Sequence, residues 1–246
     1  MHTFHLASLT IALVSGLSAM ACAAPPTFGP RAPQTSPAGP RAVAIVRVPA
    51  PWYAPRFAIR GKFHDVLGEY EALSALQAKY FTISDAGQFG GIYLWETRAD
   101  VDHHFDAAWH ARVKEKRGVD GDVLVMDAPF VVDGPALPRG TPAGRRSLDY
   151  RAWASFVRWP LPPESDRAAA ARILAARPAP AAMIRAFVVT EPRGVGLVTL
   201  WATRDAAESA ATEAARASVG QAVGAGASEV VLFEAPLLID ETLVAR

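Results

Sequence analysis

The stretch Gly90-Gly-Ile-Tyr-Leu-Trp-Glu-Thr-Arg-Ala-Asp100 decides how the rest of the chain is read. Ile92 to Trp95 is apolar and rich in aromatic and β-branched residues, which favours a strand. Period-two alternation puts Gly91, Tyr93 and Trp95 on one face and Ile92 and Leu94 on the other. The aliphatic face is expected to pack under helices. The aromatic face, whose rings carry polar handles, is expected to line a cavity. Thr97, with Asp100 three residues later, has the form of a capped helix start. In the helix that follows, Val101, Phe105, Ala108, Trp109 and Val113 share one stripe. His103 and His110 lie on the opposite face, and His104 sits at the stripe's edge.

Working outward, a paler copy of the stretch occurs at Gly196-Leu-Val-Thr-Leu-Trp-Ala-Thr-Arg-Asp205, where Leu200-Trp201 matches Leu94-Trp95 and Thr203-Arg204 matches Thr97-Arg98. Ile45-Val-Arg-Val-Pro49 parallels Phe156-Val-Arg-Trp-Pro160. The segment from Val123 to Asp133 parallels that from Val230 to Asp240. The blocks recur in one order at offsets of 111, 106 and 107 residues, the mark of an internal duplication.

The chain has 246 residues, room for two small domains, and a net charge of +1 with no basic run, which speaks against nucleic-acid binding. Hydrophobic residues make up 51%, enough for packed cores. Leu6 to Met20 has the length of a signal-peptide core and is short for a membrane span. Ala21-Cys22-Ala23 supplies a small-residue cleavage site, so residues 1–23 read as a signal peptide and the protein as periplasmic or secreted. The alternative is a lipid anchor at Cys22, against which Ala19 stands where a lipoprotein box has Leu. Cys22 is the single cysteine, so the mature domains are expected to hold no disulfide and no transmembrane span. Residues 24–40 are Pro-rich and read as a disordered spacer.

Strands are expected at residues 41–48, 79–84, 92–95 and 123–132. One helix is placed on the Phe63, Val66, Leu67, Tyr70, Leu73 and Leu76 spacing, and another ends near Gly118. The order βαββαβ is the ferredoxin-like unit, an α+β arrangement with helices on one sheet face. Residues 134–150 read as a linker, and 151–241 repeat the plan of 41–133. A single such unit leaves one sheet face uncovered, so the two are expected to pack as an α/β barrel. The chain would then be a monomer with an internal pseudo-dimer, and its ligand, a small molecule, would sit between the two sheets.

On the Gly90-Gly-Ile-Tyr-Leu-Trp-Glu block, the Trp109-His-Ala-Arg-Val113 segment and the Asp127-Ala-Pro strand, the first unit resembles the mono-oxygenase family of the YdhR type. That family belongs to the dimeric α/β-barrel superfamily, with the antibiotic-biosynthesis mono-oxygenases. The resemblance implies a cofactor-independent oxygenase for an aromatic or phenolic substrate, with no cofactor bound. It also implies a haem-binding or haem-degrading barrel as an alternative, and a non-catalytic ligand-binding or sensory module is the competing reading from another class.

Within that frame Tyr93, His104 and Arg47 are the catalytic candidates. His104 would act as the base, Arg47 would hold an oxyanion, and Tyr93 would line the pocket. Trp95, Trp201, Trp52, Tyr53 and Arg158 are candidates for contact with substrate. Trp95 and Trp201 hold equivalent strand positions, for which plain core packing is the competing reading. Arg47 and Arg158 are likewise equivalent, and could instead point outward at strand ends. Trp52 and Tyr53, on a proline-rich loop, could form a lid or fold back on the barrel. No metal-ligand spacing is present.

Overall fold

A computed structural model describes residues 41–51, 53–138, 146–226 and 228–240. The expected signal peptide, spacer, Cys22 and Trp52 lie outside these residues. In the first half β1 (Arg41–Pro49) leads to α1 (Arg56–Asp65) and α2 (Leu67–Glu71). There follow β2 (Leu76–Ser84), β3 (Gln88–Trp95), α3 (Arg98–His104), α4 (Ala107–Arg117) and β4 (Asp122–Asp133). The second half runs β5 (Ser147–Pro160), α5 (Arg167–Ala175), β6 (Met183–Glu191), β7 (Gly194–Trp201), α6 (Arg204–Ala210), α7 (Glu213–Ala222) and β8 (Glu229–Asp240). The class is α+β, and no described helix is long and apolar enough to cross a membrane.

All eight strands close into one antiparallel barrel in the order β1-β3-β2-β8-β5-β7-β6-β4. Read within each half, the order β4-β1-β3-β2 recurs as β8-β5-β7-β6. Two seams join the halves, β2 with β8 and β4 with β6.

Several helices break where the sequence pattern predicts continuity. Asp106 accepts from the Trp109 N–H at 2.7 Å and starts α4 afresh. Thr212 restarts a helix in the same way, accepting from Ala215 N. Short polar side chains win this competition because they satisfy amide groups that a helix end leaves orphaned. Thr97 caps α3 as expected, accepting from Asp100 N at 3.2 Å. Leu76 belongs to β2 and not to the preceding helix, and β5 begins inside the expected linker.

The sheet faces are the reverse of the expectation. Ile92 and Leu94 point into the barrel, packed with Ile45, Tyr80, Phe156, Phe187 and other core residues of both halves. Tyr93 and Trp95 point outward, under the helices, with Val101 and Phe105. An eight-stranded barrel is just wide enough for its side chains to fill, and these residues fill it. The interior assigned above to a ligand is therefore core.

Gly90 explains the first glycine of the opening stretch. A Cβ there would lie 2.0 Å from the Val46 carbonyl oxygen on β1. Only glycine lets β1 and β3 come this close.

One polar network lies within this apolar shell. The Arg185 guanidinium on β6 bonds the Asp240 carboxylate at the end of β8, and both side chains are 3% exposed. Tyr80 on β2 donates to Asp240 at 2.8 Å, and Arg185 Nε donates to Asp133 on β4 at 2.8 Å. Four strands meeting at two seams are thereby tied together. Removing one partner of a buried pair leaves a charge without compensation. Asp240→Ala is expected to lower the unfolding free energy in urea by about 3 kcal/mol. The double variant Arg185→Met/Asp240→Leu should lose less than Asp240→Ala alone.

Candidate functional site

The outward face of β2 and β3, roofed by α2 and α3, carries a polar cluster in an aromatic setting. Lys79 is 2% exposed. Its Nζ lies 2.7 Å from the Tyr70 ring centroid, 3.9 Å from that of Phe81 and 4.7 Å from that of Tyr93. The Tyr93 and Tyr70 hydroxyls are 3.5 Å apart. His104, the last residue of α3, turns inward. Its ring lies 4.9 Å from Trp95, 4.7 Å from Phe105 and 6.0 Å from Tyr70. Two enclosed polar atoms, Trp95 Nε1 and His104 Nε2, have no hydrogen-bond partner among the described residues. Buried polar atoms are nearly always paired, so two orphans within one cluster call for an explanation.

Burial sets the protonation of the cluster. It pushes the Lys79 ammonium well below its ordinary value, with Glu69 opposing the shift. It raises the Tyr70 hydroxyl, and raises that of Tyr93 further, so both remain protonated donors. His104 falls from 6.5 to about 4, by burial first and then by the neighbouring basic groups, Lys79, Arg112 and His103. His104 is therefore neutral at pH 7 but a weak base. Lys79, whose ammonium form burial disfavours, was not among the sequence candidates. Period two places it with Phe81 and Ile83 on an apolar strand face, and that was the signal available.

The second half keeps the scaffold without this chemistry. By strand register Ala186 stands opposite Thr199, as Lys79 stands opposite Tyr93. Ala210 ends α6 as His104 ends α3. Trp201 donates its indole N–H to Ser155 at 2.9 Å, whereas Ala44 holds the corresponding place on β1, opposite Tyr93. Trp201 is thus a satisfied core residue and its counterpart Trp95 is not.

Of the remaining candidates, Arg47 does not join the cluster. It shares a strand face with Ile45, which points into the barrel, and it pairs with Asp122 directly across on β4. Arg158 does the same with Glu229 at 2.9 Å and Glu191 at 3.4 Å. Both arginines make cross-strand ion pairs near strand ends. Tyr53 is 71% exposed and lies at the surface.

Two cavities, of about 290 and 550 Å³, lie away from the cluster, against α1, β5, α6 and β8. Among the described residues no group of three or more His, Cys, Asp or Glu could hold a metal ion. A haem does not fit at His104, since three aromatic rings crowd the imidazole where a macrocycle would have to lie.

No protein-family model matches the chain, and no curated protein matches it. Solved structures do. A candidate monooxygenase from Fusobacterium nucleatum subsp. nucleatum aligns with a TM-score of 0.57 at 7% identity, covering 82% of this chain and 95% of that one. An anthrone oxidase-like protein aligns with a TM-score of 0.50 at 13% identity, covering 84% and 96%. At such identities the likeness shows a shared α+β barrel fold.

The depressed His104 fixes a sign for pH dependence. Between pH 6.5 and 4 the unfolded chain takes up a proton at this position and the folded chain does not, so its contribution to stability is lost as pH falls through that window. The loss is about 3 kcal/mol when complete. Urea unfolding of the wild type from pH 7 to pH 4 should therefore decline more steeply than that of His104→Phe. Parallel declines would show that His104 titrates normally in the folded protein.

Proposed function

We propose that the protein is an exported small-molecule-binding barrel, made of two fused ferredoxin-like units, and that the first unit is a cofactor-independent mono-oxygenase. The observation that carries this reading is the buried cluster beneath α2 and α3, in which a lysine whose ammonium form burial disfavours, two protonated tyrosines and two orphaned ring nitrogens converge. The barrel fold shared with a candidate monooxygenase and an anthrone oxidase-like protein supports it.

The substrate class is a phenol or enolisable aromatic ketone. Neutral Lys79 takes the acidic C–H or O–H proton and becomes an ammonium, held over the Tyr70 and Tyr93 rings by cation–π attraction. Tyr93 O–H and Trp95 Nε1–H donate to the oxygen on which negative charge develops. His104, neutral, hydrogen-bonds a second polar group of the substrate through Nε2. The substrate anion itself reduces dioxygen. For an anthrone the carbanion adds O2 to give a hydroperoxide, which loses water to leave the quinone. One dioxygen is consumed, one oxygen atom enters the product and the other leaves as water. Arg47 lies outside this scheme. Substrate enters as α2, which seats Tyr70 over Lys79, lifts from the sheet at the break around Val66.

Anthrone in an oxygen-electrode cell tests the reading. The wild type should consume oxygen and yield anthraquinone, faster as pH rises through the Lys79 titration. Lys79→Met should lose at least a hundredfold and Tyr93→Phe about tenfold. Saturable stabilisation by anthrone without oxygen uptake would support the non-catalytic binding module instead.

A further inference from the structure

A second site lies apart from the Lys79 cluster, where the helix layers of the two halves approach each other over the β2–β8 seam. The groove there has a volume of about 550 Å³, within the range of small-molecule sites. Its wall from the first half is Arg56 and Arg60 on α1. Its wall from the second half is Arg151 and Trp153 on β5 with Arg204 on α6, and Glu234 on β8 lies between them. A recess of about 290 Å³ shares Arg60, Arg151 and Glu234 and extends the groove past Phe63 and Tyr150.

Four guanidinium groups line the groove; Glu234 is shared by Arg56 and Arg60, Asp85 pairs with Arg56 and Arg204, and Glu208 with Arg204, so the positive charge that is left lies at Arg151. The arrangement is also preorganised. Glu234, 6% exposed at its side chain, bonds both Arg56 and Arg60 from beneath, so their remaining N–H groups are held in place. Asp85 steadies Arg56 at 2.6 Å from outside the groove. Arg204 is braced by Glu208 at 2.6 Å and stacks its guanidinium 4.9 Å from the Trp153 ring. Arg60 Nε is enclosed with no hydrogen-bond partner. Arg151 makes no ion pair among the described residues, although it shares the groove with three other arginines. The place open to an anion is therefore between Arg151 and the enclosed Arg60 Nε.

We propose that the groove binds a flat aromatic dicarboxylate. One carboxylate bridges Arg60 and Arg151, the ring lies along Trp153 beside Arg204, and the second carboxylate reaches Arg56 or Arg204. Arginine suits both tasks, since its planar fork pairs with carboxylates and its face stacks on aromatic rings. The two halves supply opposite walls, so the site exists only because the barrel closes at this seam. The proposal does not rest on the oxygenase reading, and no residue of the groove belongs to the Lys79 cluster.

The test is a titration of the full protein with naphthalene-2,6-dicarboxylate, followed through the Trp153 indole N–H signal in ¹⁵N–¹H NMR spectra and assigned with Trp153→Phe. A saturable shift of that signal is expected. Arg151→Ala should weaken binding about tenfold. It should fold normally, since its side chain is exposed and makes no ion pair with the described residues. Arg177→Ala, outside the groove, should bind as the wild type does. Naphthalene-2,6-dimethanol, which has the ring without the charge, should cause no saturable shift at the same concentrations, and neither should inorganic phosphate. Absence of a saturable shift with the dicarboxylate would overturn the proposal. So would unchanged affinity in Arg151→Ala, or equal affinity for phosphate, which would reduce the groove to a general anion patch.

Discussion

One buried ion pair ties the two seams of the barrel together. Arg185 and Asp240 come from opposite seams of the sheet, and together with Tyr80 and Asp133 they bind four strands that are remote in sequence. Apolar side chains fill the interior, but apolar packing is tolerant of sliding and repacking. A charge pair in that setting is not, because any register that separates the partners leaves charges bare in a low-dielectric core. Closure of the β2–β8 seam in turn brings α1 toward β5 and α6 and so forms the arginine groove. Closure also leaves no room inside, which places any chemistry on the outer face of the sheet, beneath the helices.

The two halves divide the labour. Both contribute strands in the same spatial order and both cap their helices with threonine at equivalent places. Only the first carries the lysine, tyrosine and histidine set, and among the described residues its Trp95 is the one tryptophan with a buried N–H that lacks an acceptor. In the second half alanines, a threonine and a serine replace or satisfy those groups. The polar cluster is costly in a buried position. Its confinement to one half sets it apart from the shared framework, which folds without it.

Much of the architecture was legible in the residues. The α+β class and barrel closure followed from element order and the repeat, and Thr97 announced its helix. The grouping of Tyr93, Trp95 and His104 followed from strand alternation and the helical stripe. What misled was the assumption that a cavity must be inside. Alternation separates Ile92 and Leu94 from Tyr93 and Trp95, yet it carries no label for the inner face when both faces are buried. Arg47 and Arg158 looked like ligand anchors because each sits in an apolar strand, and their acidic partners lie across the sheet, far away in sequence. Lys79 was passed over for a related reason. At the start of a strand a lysine is ordinarily solvated, and only the tertiary placement of Tyr70 above it encloses the amine. The Arg185–Asp240 pair likewise has no local signature.

The proposed site turns on Lys79 being a buried amine whose ammonium form is disfavoured. Its titration can be read directly, since the chain contains only four lysines, Lys62, Lys79, Lys114 and Lys116. Lysine labelled with ¹³C at Cε, with Lys79→Met for assignment, separates the four signals across a pH series. The account predicts three signals that move together in the ordinary lysine range and one, belonging to Lys79, that titrates well below them. If Lys79 titrates with the other three, the amine is charged at neutral pH, it cannot serve as the base, and the site beneath α2 and α3 loses its central element.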